Sequence, residues 1–173
     1  MTLQAAVELI QRGIDDHQPA HWADLGCGDG LFTNALGQLL KSESTIYAVD
    51  ENKNSLNKIK AMKGLELKKI AANFETDALP LDDLDGILMA NSLHFVNDKI
   101  TFLKKAIRLM KKESSFVIVE YDTDKSNRWV PFPISFVSLE KLFTDIGFSV
   151  REIGKEDSMY NQAGMYCALA FPL

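Results

Sequence analysis

The chain has 173 residues, 46% of them apolar and 25% charged, with a formal net charge of -5. That length fits one domain with an ordinary core, and the balance excludes a disordered or fibrous chain. An acidic chain lacks the clustered Lys and Arg that a phosphate backbone requires, so nucleic acid is not an expected partner.

Leu3, Val7, Ile10 and Ile14 recur at helical spacing, and Pro19 ends that helix. No basic stretch with a long apolar run stands at Met1 to Gln11, and no apolar run nears the ~20 residues that cross a bilayer. A cytoplasmic protein without membrane contact is expected. His21 to Leu25 is a short apolar run that reaches a Gly-rich turn; Phe32, Leu36 and Leu39 then return to helical spacing. Thr45 to Val49 is β-rich and ends at Asp50. Leu56, Ile59 and Met62 predict a helix stopped by Gly64, with Lys53, Lys58, Lys60 and Lys63 on its solvated face.

Leu65 to Ala71 and Gly86 to Ala90 read as strands. Ile100, Leu103, Ile107 and Met110 share one helical face, with Asn97 as cap. Phe116 to Val119 is a strand, and Leu139, Leu142, Phe143 and Ile146 form a last helix between a Ser138 cap and a Gly147 stop. Phe148 to Ile153 and Met165 to Phe171 follow with no helix between them, which predicts an antiparallel pair at the sheet edge. Strands alternating with helices imply a mostly parallel sheet covered on both faces. No linker divides the chain, so 1–173 is expected to be a single domain. Cys27 and Cys167 lie far apart in different contexts and make no disulfide framework. His17, His21 and His94 lack metal-ligand spacing, and Asp82, Asp83 and Asp85 read as a solvated loop; no metal is expected.

The chemistry begins at Ala23-Asp24-Leu25-Gly26-Cys27-Gly28-Asp29-Gly30, between a strand and a helix. Glycines there free the backbone and let a ligand approach, and the helix start offers N–H groups above the strand ends. The spacing is G-x-G-x-G rather than the G-x-G-x-x-G of dinucleotide folds. A carboxylate in the turn, Asp29, would repel a pyrophosphate but not a sulfonium ligand. Asp50 lies about 20 residues beyond the turn, where an acid accepts from ribose hydroxyls. Asn73-Phe74 could hold an adenine between an amide and a ring, and Ala90-Asn91-Ser92-Leu93-His94-Phe95 follows the fourth strand.

Together these residues resemble the class I S-adenosylmethionine-dependent methyltransferases, most closely the small-molecule type that includes ubiquinone-biosynthesis-like enzymes. The resemblance covers residues 20 to 121 by motif and the remainder by element order. It implies a Rossmann-like, doubly wound α/β fold whose seven-stranded sheet runs 3-2-1-4-5-7-6 with strand 7 antiparallel. It implies S-adenosyl-L-methionine as cofactor, held by Asp24, Gly26, Cys27, Gly28, Gly30, Asp50, Glu51, Asn73, Phe74 and Asn91. Two departures stand out. Asn73 replaces the Asp that many members carry, and Lys111-Lys112-Glu113-Ser114 replaces Lys-Pro-Gly-Gly, so that turn must be built differently.

His94 and Tyr121 are the candidate catalytic groups, each with a packing role as the plainer alternative. Phe95 and Trp129 are candidates to wall the acceptor, in a Pro-containing segment, Tyr121 to Pro133, that could equally cover an apolar patch. Few residues precede the turn, so the site is open, or Met1 to Gln18 and the Trp129 loop close it, or a partner chain in a homodimer does. A small-molecule acceptor is expected. A non-catalytic S-adenosylmethionine-binding module and an NAD-dependent oxidoreductase are the alternative readings.

Overall fold

The computed structural model describes residues 1–15, 17–156 and 164–173. Seven strands form one sheet: β1 (His21–Leu25), β2 (Thr45–Asp50), β3 (Glu66–Ala71), β4 (Leu84–Ala90), β5 (Met110–Tyr121), β6 (Phe148–Glu156) and β7 (Met165–Pro172). Their order is β3-β2-β1-β4-β5-β7-β6, as the resemblance implied. β1 to β5 pair in parallel, and β7 runs antiparallel to both β5 and β6. Residues 157–163, between the last two strands, lie outside the described residues.

Strict alternation along the central strands serves two cores at once. Ile87, Met89, Phe116 and Ile118 face one side, with Phe102 and Leu103 of α4 (Lys99–Ile107) and Leu139 and Phe143 of α5 (Phe136–Thr144). Leu88, Val117 and Val119 face the other, with Leu9 and Ile10 of α1 (Leu3–Ile10) and Leu36 of α2 (Leu31–Leu39). Trp22 is buried flat over Gly86, its partner in register, where a side chain would strike the indole ring.

The structure departs from the sequence expectations at several element ends. α1 stops at Ile10 and tightens into a 3-10 turn, Gln11–Gly13, which leaves Ile14 extended. Gly13 packs against Val117 and Ile153, where a side chain would collide. α3 spans only Lys53–Lys58, so Lys60 and Lys63 are not on a helix. Its apolar successors leave the helix to fill close contacts: Ile59 against Gly30 and Met62 against Gly37. The cap of α4 is Asp98, accepting from the Thr101 N–H, rather than Asn97, and Met110 begins β5. Ser135, not Ser138, caps α5 by accepting from the Ser138 N–H. The Lys111–Ser114 stretch becomes part of β5 through a bulge: Leu84 pairs with Met110 and Gly86 with Ser115. Ser114 Oγ donates to the Lys111 carbonyl inside that bulge, and Lys111 Nζ meets Asp85 at 2.6 Å. Among the described residues no helix is long and apolar enough to cross a membrane.

Candidate active site

The C-terminal ends of the parallel strands carry the irregular backbone, as doubly wound sheets require of a ligand edge. After β1 the turn bends through three left-handed glycines, Gly26 (φ 77), Gly28 (φ 51) and Gly30 (φ 89). They serve different ends. A Cβ on Gly26 would lie 2.6 Å from Ser92 Cβ and 3.0 Å from Phe74, and one on Gly30 2.6 Å from Ile59. A Cβ on Gly28 would meet nothing within 4 Å, so its face is open. The N–H groups of Gly26 and Cys27 both donate to the Val49 carbonyl, which ties the turn to β2.

Asp50 closes that tie. Its Oδ2 accepts from the Gly28 N–H and its Oδ1 from the Asn52 N–H, each at 2.8 Å. Each oxygen keeps a second lone pair, so the carboxylate is oriented and still able to accept. Asp24 lies beneath the turn, 1% exposed, with Thr33 Oγ1 donating to it at 2.6 Å. Burial pushes its pKa up to about 7, against the Thr33 hydrogen bond and with a push from the Asp50 charge. Cys27 is buried, and burial drives its thiol well above the ordinary range, so it is an inert filler of the turn. Asp29 turns outward to Lys58 at 2.7 Å, and that hydrogen bond holds its carboxyl below the usual range. Its charge is answered from α3 and says nothing about the ligand.

A cleft of about 400 Å³ opens over these strand ends, lined by Gly26, Asp50, Glu51, Asn73, Phe74, Ser92 and Phe95 among others. Asn73 is spent locally: its Oδ1 accepts from the N–H groups of Glu75 and Thr76, and its Nδ2 donates to Glu51. The amide expected beside an adenine is therefore already engaged through its oxygen, and what Asn73 orders is the Glu51 carboxylate and the turn after β3. Phe74 stands edge-on to Phe102. Asn91, at the end of β4, holds a left-handed backbone (φ 54). Its buried Oδ1 finds no hydrogen-bond partner among the described residues. A buried acceptor left without a donor is costly, so its partner lies beyond the described residues. A smaller hollow of about 240 Å³ between Gly13, Asp15, Pro19, Trp22 and Glu113 lies at the opposite, N-terminal edge of the strands.

Beyond β4 the chain makes a 3-10 turn, Leu93–Phe95, that buries His94 and exposes Phe95. His94 Nδ1 meets Glu120 Oε2 at 2.7 Å, and the His94 backbone N–H donates to Oε1 at 3.0 Å. Its ring lies 4.4 Å from Phe95 and 6.2 Å from the half-buried Tyr121, centroid to centroid. Glu120, 1% exposed, is a residue that sequence reasoning missed. Its position at the end of a β-branched buried strand was the available signal, since a carboxylate there must have a partner.

The segment after β5 is pinned throughout. Asp122 accepts from the Phe136 N–H, Asp124 from the Ser135 N–H, Ser135 Oγ and Ser138 Oγ, and Asn127 Oδ1 from the N–H groups of Trp129 and Val130. Lys99 Nζ donates to the Val96 and Phe132 carbonyls, and burial lowers its pKa against the opposing pull of Glu120. On this fixed loop Trp129 is 75% exposed with the Arg128 guanidinium over its ring, which rules out a core-plug role. The described residues of Met1 to Gln18 do not close the site: Ala6, Leu9 and Ile10 are packed into the sheet, and Gly13, Asp15 and Gln18 lie toward the opposite edge.

A family model described as a methyltransferase domain matches residues 23–118. No curated protein matches the chain. Solved structures share the fold at low identity. A methyltransferase from Aquifex aeolicus described as S-adenosylmethionine-dependent is 20% identical, covering 89% of this chain and 82% of its own, with a TM-score of 0.65. A Thermotoga maritima protein described as a possible histamine N-methyltransferase is 17% identical over 99% of this chain and 90% of its own (TM-score 0.73). The magnesium protoporphyrin IX methyltransferase of Synechocystis PCC 6803, solved with its S-adenosylmethionine, is 13% identical over 99% and 78% (TM-score 0.72).

Proposed function

The chain belongs to the methyltransferase-domain family, and from that footing we propose that it transfers a methyl group from S-adenosylmethionine to a small-molecule acceptor. The observation that carries the reading is the cleft over the ends of β1 to β4, into which the family's motif positions converge. The residues present fit the donor. Gly28 leaves open space at the turn, Asp50 offers lone pairs to ribose hydroxyls, and the orphaned Asn91 Oδ1 suits an ammonium group. Asp24, Cys27 and Gly30 shape the turn from behind, while Gly26, Glu51, Asn73 and Phe74 border the adenosine end.

When bound, S-adenosylmethionine supplies a methyl carbon on a cationic sulfur. The chain's own task is to align, to exclude water and to receive what the acceptor loses. Phe95 and Trp129 offer the apolar surface that an acceptor would lie against, with His94 and Tyr121 beside it. On this reading the protein works in the cytoplasm as one domain over 1–173, and a homodimer would shield the open side of the cleft. The test is calorimetry with S-adenosylhomocysteine, NAD as control, followed by transfer of labelled methyl to an acceptor panel. Binding of NAD in preference to S-adenosylhomocysteine would sink the reading, and binding without transfer to any acceptor would favour a non-catalytic module.

A further inference from the structure

Holding a methyl donor leaves Glu120 without a task. Its carboxylate is buried at the end of β5, and both oxygens go to one residue, the backbone N–H and ring Nδ1 of His94. A carboxylate is expensive to remove from water unless a strong partner answers it. A clamp that merely fixed the 3-10 turn could be built from the backbone contact and a neutral side chain. The second contact does more: it commits Nδ1 to Glu120, selects one tautomer, and leaves the lone pair on Nε2. His94 stands between Ser92 and Phe95, which both line the cleft, and its carbonyl accepts from the Phe132 N–H. The imidazole lies against the exposed ring of Phe95, with Tyr121 on a second side.

Resting on the methyltransferase reading above, we propose that the acceptor is a hydroxyl on an apolar, ring-bearing molecule, and that His94, positioned by Glu120, takes its proton. The step balances. The hydroxyl proton moves to Nε2, the oxygen forms a bond to the methyl carbon, and the carbon–sulfur bond breaks with its electron pair going to sulfur. The products are a methyl ether, neutral S-adenosylhomocysteine and an imidazolium held by Glu120, which returns its proton to water. A neutral amine presents its lone pair without help, whereas a hydroxyl oxygen is a weak nucleophile until its proton leaves, so a buried base fits the hydroxyl. The charged and titratable groups packed around the pair are Lys99 from α4, Tyr121 beside the ring, and Tyr166 from β7 with Asp122 and Asp124 behind it.

The test uses 2-naphthol, 2-naphthylamine and 2-naphthalenethiol, which differ only in the nucleophile, with labelled S-adenosylmethionine and the intact protein. The naphthol should be preferred by at least about tenfold in kcat/KM. His94→Gln should lower its kcat by about 100-fold or more, the usual worth of a positioned base, with S-adenosylhomocysteine affinity within about threefold of wild type. Glu120→Gln should lower the naphthol kcat while leaving S-adenosylhomocysteine affinity unchanged, whereas a purely structural pair would move both together or neither. Nitrogen-15 NMR of His94 in the resting wild-type protein gives a readout that needs neither turnover nor a folded His94 variant: the proton should sit on Nδ1. A proton on Nε2, a preferred amine or thiol, an unimpaired His94→Gln, or no transfer to any naphthalene while S-adenosylhomocysteine binds would each overturn the proposal. Absence of S-adenosylhomocysteine binding overturns the cofactor reading instead, and this proposal with it.

Discussion

Gly28 and Gly26 sit two residues apart in one turn and should fail in opposite ways. Alanine at Gly28 meets no protein atom within 4 Å, so its folding cost is the left-handed backbone alone (φ 51), about 1–2 kcal/mol. For a chain of this size that lowers Tm by only a few degrees, about 2–4 °C per kcal/mol. Its methyl group would stand in open space at the turn, where the donor is proposed to lie. S-adenosylhomocysteine affinity should fall at least tenfold, about 1.4 kcal/mol, and vanish with Gly28→Val. Alanine at Gly26 carries the same backbone cost (φ 77) and also presses its Cβ to 2.6 Å from Ser92. Overpacking adds about 1–3 kcal/mol, so this variant should lose the most stability of the pair. Thermal melts and calorimetry on both variants check the pattern. Wild-type affinity in Gly28→Ala would refute the placement of the donor over this turn, whatever the melts show.

Asp50→Ala should weaken S-adenosylhomocysteine binding by about 1.5–3 kcal/mol and leave the fold intact; unchanged affinity by calorimetry would remove Asp50 from the site. Asp24 has a folded pKa of about 7 against 3.8 unfolded, so the unfolded chain gives up its proton first, and stability falls as pH rises from about 4 to about 7. That rise is worth at most about 4 kcal/mol, so Asp24→Asn should be the more stable protein in urea melts at pH 8 and lose its advantage near pH 4. Equal pH dependence in both proteins would show that Asp24 is not buried as a neutral acid. Trp129→Ala should leave Tm and cofactor affinity unchanged, because the ring is 75% exposed, yet raise the acceptor KM. A clear drop in Tm would contradict the exposed placement.

Elements fixed by strand-end chemistry and burial were legible in the sequence; those decided by contact between distant segments were not. β1, the Gly turn and β2 were readable because an apolar run, a glycine spacing and an acid each have one local meaning. The helix predicted through Met62 was not, because Ile59 and Met62 answer to Gly30 and Gly37 across the fold rather than to their own helical face. Asn73 was legible as a residue at the strand-end edge but not in its bonding, since the turn that claims its oxygen exists only once residues 75 and 76 fold back. Glu120 was hidden because its partner lies 26 residues away on another element. The same holds for Trp129: its exposure follows from the ties of Asp122, Asp124 and Asn127, which no periodicity reveals.

The place of β7 in the sheet has a consequence for how the chain is made. It lies between β5 and β6 but is synthesised after both. While the ribosome is still short of Met165, β5 presents one long unsatisfied edge and β6 has nothing to pair with. Such edges recruit other chains. The stretch of β5 in question, Phe116 to Val119, is wholly apolar and becomes completely buried only when Cys167 to Ala170 arrives alongside it. The nascent protein therefore passes through a stage in which its most aggregation-prone strand is finished and uncovered. Slow translation or chaperone capture over the residues between Tyr121 and Met165 should decide how much of it reaches the native state.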